Sequence, residues 1–290
     1  MIIIADSGST KTDWALVGNG QTMTRQTVGI NPCQQTETAI SETLDSLVKQ
    51  IPADDLKTVE AVYFYGSGVR AEKEPVMCRL LKTAFTEALT VEAHSDMLGA
   101  CRAVCGDKPG YVCILGTGAN SCYYDGTTIA RSVPSLGYIL GDEGSGAYLG
   151  KRLVRYLYGG EDPQLLEVFE RDMHLSLPDI IERVYRQPMA GRFLASLVPF
   201  AAKHTDTLSF LLDDCFMQFI RHLVNPLNPG SEPVHIVGSI GAVFEEVIRN
   251  VAGSEDVIIG TILPRPLDAL IRYHTPYNPN FPQSTKKSGK

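Results

Sequence analysis

The stretch MIIIADSGSTKTD, residues 1–13, decides how the rest of the chain is read. Ile2, Ile3 and Ile4 form an uninterrupted β-branched run, which predicts a central strand covered on both faces. Asp6 stands where that run gives out. Ser7, Gly8, Ser9, Thr10, Lys11 and Thr12 then read as a turn of little bulk, whose backbone N–H groups can approach a phosphate closely. Residues 13–17 resume a strand, and Asn19-Gly20 closes it with a hairpin signal. A phosphate is therefore expected in a β-hairpin and not at a helix start. A P-loop needs a second glycine directly before its Lys-Ser/Thr pair, and Thr10 precedes Lys11; a dinucleotide fingerprint needs a helix after its glycines, and a strand follows here.

The composition sets outer bounds. At 290 residues the chain is long enough for two domains, and its 44% apolar and 20% charged content is that of a soluble globular protein. A net charge of −7 argues against a nucleic-acid partner, since the basic cluster Lys286, Lys287 and Lys290 lies in the terminal tail. No basic segment precedes the short apolar run at residues 2–4, and no run approaches a membrane span, so neither export signal nor membrane anchor is expected. Seven scattered cysteines fit no disulfide framework and predict reduced thiols in a cytoplasmic protein. Cys101 and Cys105 could share a helix face as metal ligands, but without a second ligand pair they read as packing residues.

Farther along, strands are expected at residues 22–28, 59–65, 90–94, 111–115, 121–124, 234–237 and 257–259. Helices are expected at residues 37–50, 73–89, from Met97, 147–157, 242–251 and 266–273, with a mostly helical section over 162–219. Gly29-Ile30-Asn31-Pro32 ends one strand, and the proline biases Asn31 toward an extended conformation that presents its amide. Gly66-Ser67-Gly68, Gly116-Thr117-Gly118 and Gly238-Ser239-Ile240-Gly241 end others, and Ser95-Asp96 reads as a helix-capping pair. The run from Gly137 to Gly146, GYILGDEGSG, is rich in glycine just before a helix. Strand, small-residue hairpin, strand and tight turn occur at residues 1–20 and again at 111–126, which predicts an internal duplication of two α/β domains. The expected division is 1–105, 106–275 and a disordered tail at 276–290, with the closing helix packing on the first domain.

The order DSGSTKTD, GINP, YGSG, HSD, ILGTGANS, GYILGDEGSG and VGSIG resembles the N-acetylglucosamine kinase branch of the BadF/BadG-type ATPase family, within the sugar kinase, heat-shock chaperone and actin superfamily. The resemblance runs from Ile2 to about Tyr273. It implies two duplicated ribonuclease-H-like (actin-like ATPase) domains with ATP in an interdomain cleft. It also implies an ATP-dependent kinase for N-acetylglucosamine or N-acetylmuramic acid in sugar salvage, and leaves a homodimer open. By the same resemblance, Asp6, Gly8, Ser9, Thr10 and Lys11 form the first phosphate hairpin, with Asp6 acting on Mg²⁺ through water. Gly116, Thr117 and Gly118 form the second, and Gly238, Ser239 and Gly241 the adenosine motif. Asn31, Ser67, Gly68, Asp96, Gly137 and Asp142 fall among the sugar-binding positions, and Asp96 is the catalytic carboxylate. Three positions depart from the family: Ser7 and Ser9 stand where glycines are usual, and Leu136 replaces the tryptophan that mammalian-type kinases carry beside the sugar.

The chemistry agrees with these roles, because a sugar hydroxyl is a poor nucleophile and needs positioning, charge neutralisation at the γ-phosphate and a proton acceptor. Two other readings fit less well. An ATP-driven iron–sulfur activator would need cysteines near the nucleotide, and Cys101 and Cys105 do not fall in an obvious position for one. A non-catalytic sugar or nucleotide sensor would bind without turnover, and the chain carries no DNA-binding appendage to make it a repressor.

Overall fold

The computed structural model describes residues 1–8, 10–18 and 20–275; Ser9, Asn19 and the expected tail at 276–290 lie outside the described residues. The chain divides into two units, Met1–Gly106 together with the segment from Pro266, and Asp107–Arg265.

The first unit contains β1 (Ile2–Ser7), β2 (Lys11–Gly18), β3 (Gln21–Val28), α1 (Glu37–Val48), α2 (Ala53–Leu56), β4 (Ala61–Gly66), α3 (Glu74–Ala84), β5 (Thr90–Ser95) and α4 (Asp96–Cys105). Its sheet runs β3-β2-β1-β4-β5. β1 pairs antiparallel with β2 and parallel with β4, and β4 pairs parallel with β5.

The second unit contains β6 (Gly110–Leu115), β7 (Ala119–Tyr124), β8 (Ile129–Ser132), α5 (Gly137–Leu140), α6 (Gly146–Tyr158), α7 (Pro163–Met173), α8 (Leu177–Tyr185), α9 (Ala190–Ala195), α10 (Val198–Lys203) and α11 (Ser209–Phe219). A π-helical turn (Ile220–Val224) continues α11, and β9 (Val234–Val237), α12 (Ser239–Val243), α13 (Glu245–Ser254) and β10 (Ile259–Leu263) complete the unit. Its sheet runs β10-β9-β6-β7-β8, so β6 takes the place of β1, its hairpin partner β7 that of β2, and the parallel pair β9 and β10 that of β4 and β5. The same mixed topology occurs twice in one chain.

The chain closes with α14 (Leu267–His274), which belongs to the first unit. There β1 is buried on both faces, as its β-branched run requires. Ile3 and Ala5 join Ile40 and Leu44 of α1 and Met77 and Leu81 of α3, whereas Ile4 joins Leu270 and Ile271 of α14. Each such buried Ile, Leu or Met side chain contributes about 1.5–3 kcal/mol. His274 stacks on Tyr63 with ring centroids 3.7 Å apart. Arg102 donates to the Tyr65 hydroxyl (2.7 Å), which leaves the Tyr65 proton for His274 Nε2 at 2.8 Å.

Several boundaries differ from the sequence reading. Ser7 and Thr12 are paired strand residues and not part of the turn. The helix expected at 242–251 is two helices broken at Phe244, whose ring is buried against Phe216. The last strand lies at Ile259–Leu263, later than expected. After β7 the chain turns through four residues, with the Asp125 carboxylate accepting the N–H groups of Thr127 and Thr128.

Candidate functional site

Three parallel strands end together in the first unit. Ser7, Gly66 and Ser95 are in register across β1, β4 and β5, so Gly8, Ser67 and Asp96 all leave the sheet at one edge. The carboxyl ends of parallel strands are where open α/β sheets bind ligands. Gly8 N–H closes the hairpin on the Lys11 carbonyl (3.0 Å), and Gly29 N–H donates to the Thr10 carbonyl (3.1 Å), so the hairpin and the segment that follows β3 are tied together. Asp6 lies opposite Asp13, and both side chains project to the same face. Lys11 Nζ is 2.8 Å from Asp13 Oδ2, and Gln26 also donates to Asp13, so in this state the Lys11 cation is engaged by a neighbouring carboxylate.

Asn31 and Gly68 touch. A Cβ at Gly68 would fall 2.1 Å from Asn31 Oδ1, and the backbone φ of +77° also favours glycine there. Asn31 Oδ1 accepts the Cys33 N–H (2.9 Å), and no partner is present for its amide nitrogen among the described residues. Ser67 N–H donates to the Ser7 carbonyl (2.9 Å).

Ser95 supplies the cap of α4, its hydroxyl accepting the Leu98 N–H at 3.2 Å. Asp96 is therefore the first helical residue, relieved of the capping role that the sequence shared between the two. Its Oδ1 accepts the Met97 N–H (2.9 Å). Burial of the carboxyl pushes its pKa above the usual carboxylate range, outweighing the helix-start N–H groups that favour the charged form.

In the second unit the hairpin of Gly116, Thr117 and Gly118 closes with Gly116 N–H on the Gly118 carbonyl (3.0 Å). The first N–H groups of α6 hold this hairpin from below: Gly146 donates to the Gly116 carbonyl (2.8 Å) and Ala147 to the Thr117 carbonyl (3.0 Å). The glycine-rich run before α6 serves this docking. Gly144 has φ +76° and lies against Phe219, while Ser145 is buried and caps the helix by accepting the Tyr148 N–H.

Asp142 has a left-handed φ of +56° and sits against the second hairpin. A Cβ at Gly118 would be 2.9 Å from its Oδ2, and its carboxylate accepts the Ala119 N–H. Burial raises its pKa and adjacent Glu143 adds to this, against the Ala119 bond and the Lys151 cation. Gly137 (φ +72°) opens α5, whose neighbours Leu136, Ile139 and Leu140 are exposed. Gly238 passes directly over the β6 exit, whereas Gly241 packs α12 against Ile236, a structural task. The described candidates thus form one cluster in each unit: Asp6, Gly8, Thr10, Lys11, Asn31, Ser67, Gly68 and Asp96 in the first, and Gly116, Thr117, Gly118, Asp142, Gly238 and Ser239 in the second.

Sequence reasoning missed the buried pair Ser7 and Thr12, whose hydroxyls lie 2.7 Å apart. It also missed the cap at Ser145, for which a serine directly before an apolar helical run is the available signal. None of the seven cysteines is in a disulfide, and no cluster of three or more His, Cys, Asp or Glu side chains suited to a metal occurs among the described residues.

A doubled mixed sheet with a small-residue hairpin at the carboxyl edge of each copy defines the actin-like ATPase fold of the sugar kinases. No family model matches the chain. A Porphyromonas gingivalis protein provisionally named an N-acetylglucosamine kinase has a crystal structure that superposes with a TM-score of 0.92 at 41% identity, over 96% of this chain and 99% of that one. The chain belongs to the N-acetylglucosamine kinase family. A Chromobacterium violaceum protein with the same provisional name superposes at TM-score 0.67 and 21% identity, over 94% of this chain and 98% of that one, a likeness of fold. The N-acetyl-D-glucosamine kinase of Dictyostelium discoideum is 28% identical over 174 residues, and the match spans about half of its length (54%) and 54% of this chain.

Proposed function

We propose that the chain is an ATP-dependent kinase that phosphorylates a hydroxyl of an N-acetylated amino sugar. The observation that carries this reading is the shared register of Ser7, Gly66 and Ser95, which puts the first hairpin, the Ser67-Gly68 turn and the Asp96 carboxyl on one sheet edge. In this reading Asn31, Ser67, Gly68, Gly137 and Asp142 hold the sugar. Backbone N–H groups of the two hairpins hold the ATP phosphates, and the small residues Gly238 and Ser239 let the adenosine lie against the backbone.

Asp96 accepts the proton of the attacking hydroxyl. Its raised pKa suits that role, because burial makes the Asp96 carboxylate a stronger base than a solvated one. Magnesium fits the donor set. Asp6 and the opposed Asp13 offer one or two carboxylates, the share that Mg²⁺ takes from protein when water and phosphate complete its shell. Asp6 would hold the ion through water, and the ion supplies charge neutralisation at the β- and γ-phosphates. Lys11 must leave Asp13 to reach a phosphate, a small cost for a part-exposed ion pair.

For the choice of sugar, Leu136 is 59% exposed. A side chain smaller than tryptophan there leaves room for a lactyl ether, so N-acetylmuramic acid is accepted beside N-acetylglucosamine.

An ADP-release assay against a panel of amino sugars tests the reading. ADP release dependent on N-acetylglucosamine or N-acetylmuramic acid is expected. Release that is indifferent to every sugar in the panel would sink it.

A further inference from the structure

Ser7 is fully buried at the last position of β1, and its polar atoms reach three separate segments. Its hydroxyl accepts the Ile30 N–H at 3.0 Å and donates to the Ile30 carbonyl at 3.1 Å. Thr12 Oγ1 stands 2.7 Å away and can donate to Ser7, while the Val28 carbonyl is also served by Thr27 Oγ1. Finally, the Ser7 carbonyl accepts the Ser67 N–H at 2.9 Å. One residue therefore fastens the phosphate hairpin to the segment before Asn31 and to the turn that carries Ser67 and Gly68.

We infer that Ser7 is a positioning residue for the acceptor sugar, holding the Asn31 amide in place through its two bonds to Ile30. The inference rests on the amino-sugar reading of Asn31. Ile30 is fully buried, so without Ser7 Oγ its N–H and carbonyl have no water to turn to, and the segment must shift to satisfy them. Asn31 is the next residue, and its amide nitrogen is the group left for a ligand. A glycine at position 7 would keep the carbonyl bond to Ser67 and lose both bonds to Ile30. Here the hydroxyl takes over the fixing of the sugar segment, which gives the serine a purpose beyond filling the turn.

The test compares Ser7→Ala with Thr12→Val, a change in the same buried hydroxyl pair that leaves the Ser7–Ile30 bonds intact. Both variants are expected to melt below wild type. In folded Ser7→Ala the Ile30 amide should exchange its hydrogen about tenfold faster or more, and in Thr12→Val at the wild-type rate. The KM for N-acetylglucosamine should rise about tenfold in Ser7→Ala while kcat and the KM for ATP stay within about threefold, the pattern of a misplaced binding group. Unchanged Ile30 protection in Ser7→Ala, or a sugar KM that moves no further than in Thr12→Val, overturns the inference. A wild-type enzyme that phosphorylates no amino sugar would remove the kinase reading instead, and the Ile30 exchange rate would still decide what Ser7 holds.

Discussion

Gly238 passes so close to Leu115 that a Cβ on it would stand 2.1 Å from the Leu115 carbonyl oxygen, at a backbone φ of +136°. The end of β6 and the start of α12 are thus joined backbone to backbone. Gly116, one residue beyond Leu115, is the opposite case, with nothing within 4 Å of its Cβ position.

The two glycines should separate folding from ligand approach. Gly238→Ala forces both a strained φ and a backbone clash, and should cost about 3 kcal/mol of stability or more. Gly116→Ala should unfold at the wild-type denaturant midpoint and yet raise the KM for ATP about tenfold, because the methyl group takes up space a phosphate needs. Denaturant titration beside ATP kinetics distinguishes them, and a Gly116→Ala enzyme with wild-type ATP kinetics would remove the second hairpin from the nucleotide site.

Asp142 carries a left-handed backbone and a carboxylate against the second hairpin. Asn tolerates that conformation, so Asp142→Asn should keep stability within about 0.5 kcal/mol while raising the KM for sugar. Asp142→Ala should add a stability loss of about 1 kcal/mol from the strained backbone. Equal sugar KM values in Asp142→Asn and wild type would contradict a sugar contact.

His274 gives the pH dependence of the first unit. Burial, with Arg102 and His94 adding to it, lowers its pKa to about 4. The unfolded chain, with a pKa of about 6.5, binds a proton that the folded one refuses, so this stability is present above about pH 6.5 and is lost as pH falls through 4. Between pH 7 and pH 5 the loss should be about 2 kcal/mol. Glu92, His94 and Arg102 face the same cluster, so the difference between wild type and His274→Gln isolates the histidine. Parallel stability curves for the two proteins over that range would refute the assignment.

The fold was legible where one local signal sufficed. Ile2, Ile3 and Ile4 announce a strand buried on two faces, and the Gly116-Thr117-Gly118 turn between apolar runs announces a second hairpin like the first. The break at Phe244 was hidden because the apolar residues of α12 and α13 continue one helical pattern, and only the tertiary contact with Phe216 shows where the chain bends. Ser7 looked like a turn residue because small and polar side chains favour turns, whereas its partner Ile30 lies 23 residues away. In the GDEGSG run, much of the glycine content lets the chain pass Phe219 and dock α6 under the hairpin, a tertiary task that no local pattern announces. Asp96 was legible as a helix-start carboxylate, but the sign of its pKa shift was not, since the helix start lowers it and only enclosure by the fold raises it.

Asp96 carries the central claim, and its position at the start of α4 makes Asn a clean replacement, because Ser95 supplies the cap. The most direct measurement is the rate of N-acetylglucosamine-dependent ADP release by Asp96→Asn at saturating ATP and sugar, relative to wild type. A fall in kcat of roughly 10²-fold or more, with sugar still bound in titration calorimetry, is what a positioned base predicts. An Asp96→Asn enzyme that turns over at the wild-type rate would contradict the account.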